Sequence, residues 1–122
     1  MRLVSSIAIV AILLLGFSHA NSFNAEKKTI KEVMKAGMAG NTSLLKKVLS
    51  GDASAEEKMK LLDLLIDLVE NDAPKGDETE WKMMAGMAML TAAKVVAGRE
   101  GAIDELKKAS DCKSCHDKFK GK

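Results

Sequence analysis

Apolar positions recur along the chain at helical spacing, and turn residues divide them into segments. Ile30, Val33, Met34, Gly37 and Met38 follow the i, i+3, i+4 rule, with Asn24 placed to cap a first helix. Gly40-Asn41 interrupts the pattern. Leu44, Leu45, Val48 and Leu49 then carry it on to Gly51, as one kinked helix or two short ones. Ser54 and Glu57 form a capping-box pattern that opens a second helix. Its inner face is expected at Met59, Leu62, Leu65, Ile66 and Val69, and its outer face at Lys60, Asp63, Asp67 and Glu70. Asn71 to Gly76, with the single Pro74, reads as a loop. Asp77 and Glu80 cap a third helix, whose inner face is expected at Trp81, Met84, Met87, Leu90, Val95 and Val96. The small residues Ala85, Gly86, Ala88, Ala92 and Ala93 would let another helix or a flat ligand come close. After Gly98 to Gly101 a fourth helix is expected from Ala102 to Phe119, with Ile103, Leu106 and Ala109 inward.

Four amphipathic helices on short loops predict an all-α, antiparallel four-helix bundle. Composition agrees. Aromatic residues are 3% of the chain, Tyr is absent and one Pro occurs, which disfavours an all-β domain. A net charge of +2 over 122 residues is too small for a nucleic-acid footprint. Residues 21–51 carry net +4, 52–80 net −7, 81–98 net +2 and 99–122 net +2. These are either ordinary solvated faces or a basic surface that steers an acidic redox partner.

The first 20 residues stand apart. Arg2 is a short positive region, Leu3 to Phe17 is apolar but for Ser5 and Ser6, and Ser18-His19-Ala20 places small residues before a cut. That is the pattern of a secretory signal peptide cleaved after Ala20. The apolar run is short of the roughly 20 residues that span a bilayer, so no stable membrane anchor is expected. Residues 21–122 then form the exported domain, located in the periplasm. It holds one histidine, His116, and two cysteines, Cys112 and Cys115.

Cys112-Lys113-Ser114-Cys115-His116 has the spacing of a c-type haem attachment sequence. On a helix these three side chains stand at i, i+3 and i+4, on one face. Two thiols can add to the two vinyl groups along one porphyrin edge while the imidazole reaches the iron as an axial ligand. One covalently attached haem c is the expected cofactor. A zinc site would lack a fourth Cys or His in the exported domain. A thiol-disulfide oxidoreductase using Cys112 and Cys115 shares the spacing but expects a βαβ context, which this chain lacks. No catalytic cycle is expected, because the exported domain has no second His, no Tyr and no Ser-based constellation.

With the motif near the C-terminal end of a helical chain, the protein resembles the class II c-type cytochromes, the cytochrome c-prime family and its low-spin relatives. Phe119-Lys120 matches an aromatic-basic pair that follows the motif there. Val33-Met34-Lys35-Ala36 resembles the segment of the first helix that faces the iron, and Trp81 also fits. The resemblance implies single-electron transfer with redox partner proteins, and a homodimer through the first and second helices. Ile30 stands where relatives often have Arg, so a propionate contact would pass to Lys27 or Lys31. Lys120 stands where relatives often have Arg, which replaces a fork by a point charge.

Met34 is the first candidate for the distal side. It lies about 15 Å along the helix from Asn24, while His116 lies about 6 Å from Lys120, an offset a haem can bridge; Met38 is about 6 Å further on. Met34 either ligates the iron or packs on the distal face. A bound thioether gives a six-coordinate iron of raised potential, suited to electron transfer. An open site in an apolar pocket admits NO or CO.

Overall fold

A computed structural model describes residues 26–121, so the signal sequence and Asn24 lie outside the described residues. Those residues are helical, with no strand among them. Helix α1 (Ile30–Val33) runs on into a π-helical turn (Met34–Met38). Then come α2 (Leu44–Leu49), α3 (Ala55–Glu70), α4 (Glu78–Val96), α5 (Ala102–Ala109) and α6 (Cys112–Phe119).

Each start has a local cause. Thr29 caps α1, its hydroxyl accepting from the Glu32 N–H while the Glu32 carboxylate accepts from the Thr29 N–H. Ser54 and Glu57 make the same reciprocal pair at α3, as the sequence predicts. The Asp77 carboxylate accepts from the Glu80 N–H at 2.8 Å to open α4. The first helix ends where the Ala39 N–H donates to the Met34 carbonyl at 2.8 Å and Gly40 turns to a φ of +91°. From Ile30 to Gly51 the chain therefore forms two separate helices, not one kinked one.

Two expected inner faces are corrected. On α3 the buried side chains are Leu61, Leu64, Leu65 and Leu68, while Met59 and Ile66 are exposed. On α4 the buried set is Trp81, Ala85, Ala88, Thr91, Ala92 and Val95, while Met87 and Leu90 face outward. Apolar or small residues cover well over half of the circumference of α3 and most of that of α4, so periodicity left more than one phase open. Packing chose the one that turns alanines inward and brings α3 and α4 into the most extensive contact of the fold. Gly37 serves a similar close approach. A Cβ built there would lie 2.6 Å from Leu64 Cδ1, so the first helix presses onto α3 where no side chain intervenes.

The expected last helix, Ala102 to Phe119, is also corrected. It breaks at Ser110–Asp111 into α5 and α6. The Ser110 hydroxyl donates to the Leu106 carbonyl at 2.6 Å, closing α5, and the chain resumes with Asp111 as the next N-cap.

Four chain segments meet at one end of the molecule around Asn71. Its side-chain amide donates to the Lys28 carbonyl at 2.8 Å, just before α1. Its carbonyl accepts from the Trp81 indole N–H at 2.8 Å, in the first turn of α4. Trp81 then meets Phe119, the last residue of α6, edge to face with ring centroids 5.3 Å apart. Gly76, at φ +79°, lets the α3–α4 loop lie against the Lys118 carbonyl, 3.2 Å from where a Cβ would stand. The starts of the first helix and of α4 thus share a level with the ends of α3 and α6.

Candidate functional site

The sequence-predicted site residues fall on α6 and on the first helix. At about 100° per residue, Cys112, Cys115, His116 and Phe119 all fall within an arc of about 100° around α6. Phe119 is buried in the core, so this arc is the inward one. Cys115 is half-buried and packs against the core. Cys112 and His116, on the same arc, are exposed. The reason is that α6 makes no extensive contact with any other helix; it is held at its end by Phe119 and by the Lys118–Glu80 ion pair at 3.1 Å. An inward face that carries two thiols and an imidazole therefore stands clear of the rest of the molecule.

The local electrostatics are mild. The Ser114 hydroxyl donates to the Asp111 carboxylate and holds it below its ordinary value. Lys113 pairs with Asp117 one turn on, at 2.6 Å in solvent. Burial pushes the Cys115 thiol above its ordinary value, and nearby Cys112 adds to the shift. A thiol held protonated is a poor nucleophile for disulfide exchange. The two cysteines are not bridged to each other.

Met34 lies on another element. It is half-buried in the π-helical turn and packs against the core edge. The first helix meets α3 and α2, not α6 to any extent, so Met34 and His116 are not in contact. Their levels nevertheless agree. From the shared end at Asn71, Met34 lies six residues beyond Lys28, about 9 Å, while Cys115 and Cys112 lie about 6 and 10 Å back from Phe119. Met38 lies about 15 Å up, beyond the motif.

No family model matches the chain, and neither the curated proteins nor the solved structures yield a significant match. The site stands on its own chemistry. Among the described residues, no three or more His, Cys, Asp or Glu side chains converge as a metal-binding group, so a closed zinc site is not assembled. A porphyrin fits the donor set. Two thiols are spaced for its vinyl edge, an imidazole stands beside the second, and the inward face is uncovered.

Of the cations expected near a propionate, Lys27 donates to the Glu70 carbonyl at 3.2 Å, and Lys31 is exposed. The surface hollows lie elsewhere. One is lined by Asn41, Thr42, Ser43, Lys46, Lys47 and Ser50, the other by Lys28, Glu32, Lys35 and Ala36 on the first helix. Both are open and hold none of the site residues. Helical periodicity alone does not reveal that α6 is a separate short helix. Ser110-Asp111, a hydroxyl followed by an N-cap residue, was the available sign.

Proposed function

We propose that the chain is an exported monohaem c-type cytochrome that passes single electrons in the periplasm. The observation that carries the proposal is the inward, uncovered arc of α6 bearing Cys112, Cys115 and His116. The N-terminal apolar segment, with its small residues at Ser18 and Ala20, supports export and cleavage after Ala20. We also read the helices as four arms of alternating direction: the first helix, α3, α4, and α5 with α6. The meeting of chain ends around Asn71 supports that topology.

Haem c, when bound, supplies one iron that alternates between ferric and ferrous. The chain's own residues do the rest. The thiols of Cys112 and Cys115 would hold the cofactor as thioethers, which would stop its loss outside the cytoplasm. His116 would supply a nitrogen donor to the metal. The thioether of Met34 would serve as a second donor or as a packing group. Val33 beside it is fully buried in the core. Phe119 against Trp81 fixes the end of α6 and with it the orientation of the motif. Redox partner proteins would meet the exposed side of α6.

An absorption spectrum of protein made in a host that matures c-type cytochromes tests this. Wild type is expected to show haem bands that survive acid-acetone extraction, because the cofactor is covalent. Ferric protein is expected to show the sulfur-to-iron band that marks Met34 ligation. A CO-altered ferrous spectrum without that band would assign the distal side to binding of a diatomic gas instead. A colourless product with two titratable thiols would favour the thiol-disulfide alternative.

A further inference from the structure

Three residue pairs fix how α4 lies against the last two helices. Lys94 pairs with Glu105 of α5, Glu80 pairs with Lys118 of α6 at 3.1 Å, and Trp81 meets Phe119 of α6 with ring centroids 5.3 Å apart. Read up α4 and down the other two helices, the pairs keep one spacing to within a residue. So α4 is antiparallel to both in a single register, carried across the break at Ser110–Asp111. That register sets Cys115 level with Met84, and Cys112 level with Met87.

The two methionines belong to one stripe. Glu80, Met84, Met87, Thr91 and Lys94 follow at alternating steps of four and three residues, so they fall within an arc of about 80° around α4. Both ends of this stripe are tied to α5 and α6 by the ion pairs, which makes it the flank turned toward them. Thr91, in the stretch that α5 packs against, is 2% exposed, and its hydroxyl donates within its own helix to the Met87 carbonyl at 2.8 Å. One turn away, at the level of α6, Met87 is 51% exposed. Met84 is half-buried and packs against the core. The difference follows the neighbour: α5 closes on the stripe, and α6 does not. Around α6, Cys115 lies between Lys118 and Phe119, the two residues that reach α4, so this thiol is on the side turned to the stripe.

We infer that Met84 and Met87 of α4 form a second wall of the cofactor seat, facing the motif on α6. The inference rests on the haem reading and goes beyond it, since the motif names only the wall that bonds the cofactor. Level selects this occupant. A flat group fixed to the sulfurs of Cys112 and Cys115 has to lie at their height, and on the facing flank of α4 that height is held by these two thioethers. Methionine suits the place, because its unbranched, polarisable side chain adapts its shape and packs well on aromatic edges. Neither residue is a metal donor in this reading. Both position the cofactor by contact, and the contact covers the part of Met87 that α6 leaves open.

Oxidation footprinting with chloramine-T, read by peptide mass, tests it. Met59 on α3, 53% exposed, is the internal reference. In the chain carrying Cys112→Ser and Cys115→Ser, which cannot hold haem covalently, Met59 and Met87 are expected to become sulfoxides at comparable rates. In haem-loaded wild type the Met87 rate is expected to fall at least about tenfold while the Met59 rate is unchanged. In methyl-labelled NMR spectra of the same two proteins, the Met87 methyl is expected to be displaced by the porphyrin and the Met59 methyl to keep its position. Haem-loaded protein in which Met87 reacts as fast as in the haem-free chain overturns the inference, leaves the haem reading standing and gives the stripe to another occupant. A Met87 methyl that keeps its haem-free position does the same. A wild type that takes up no haem in a cytochrome-maturing host overturns both readings.

Discussion

Met34 and Phe119 have different parts in the proposed site, one beside the cofactor and one in anchorage. Met34 is a half-buried, flexible thioether, so under the proposal its replacement changes coordination more than stability. In Met34→Ala holoprotein the ferric sulfur-to-iron band is expected to vanish and ferrous protein to take up CO. The reduction potential is expected to fall, within the roughly 0.8 V that axial ligands span. A retained band would place another sulfur, such as that of Met38, on the iron. Phe119 acts through packing. It is 1% exposed and meets Trp81 edge to face. Phe119→Ala is expected to lower the unfolding free energy by about 3–5 kcal/mol in urea titration, as for other buried aromatic truncations. A loss under about 1 kcal/mol would mean that α6 is not held by this contact.

At the scale of elements, the caps link stability to pH. Glu57 at the start of α3 has its carboxyl held below the ordinary value of 4.5, first by Lys47 and then by the Ser54 backbone N–H. Glu32 at α1 is lowered by the same capping geometry at Thr29. A carboxyl that ionises more readily when folded binds fewer protons than in the unfolded chain. Its contribution is present above the unfolded value and is lost as pH falls through the folded one. Stability is therefore expected to decline on acidification below about pH 4.5, and Glu57→Gln to flatten that decline. A parallel pH profile in the variant would show that the cap does not ionise differently on folding.

The cap of α3 was legible because Ser54 and Glu57 announce themselves three residues apart, whereas the cap of α1 was expected at Asn24 although Thr29 and Glu32 have the same spacing. The inner faces of α3 and α4 were not legible. Seven of the nine residues from Leu61 to Val69 are apolar, so several phases bury a comparable stripe, and only contact with neighbouring helices selects one. The π-helical turn, which carries Gly37 where it seats against Leu64, was equally hidden. The placement of Cys112, Cys115 and His116 on one arc of a helix was readable outright, because it depends on spacing alone.

For the whole molecule, the helices supply a frame with one end tied together around Asn71 and one short helix, α6, left standing off its neighbours. The core is modest and poor in aromatic residues, with Trp81 and Phe119 its two buried rings. A large, flat apolar group against α6 would complete it, so the proposed haem would add to stability as well as supply function. No helix among the described residues is long and apolar enough to cross a membrane. The intact mass of the protein purified from the periplasm of a cytochrome-maturing host tests the central claim most directly. The expected mass is that of residues 21–122 plus one haem, with no free thiol. A mass equal to the polypeptide alone, with both cysteines reactive, would contradict it.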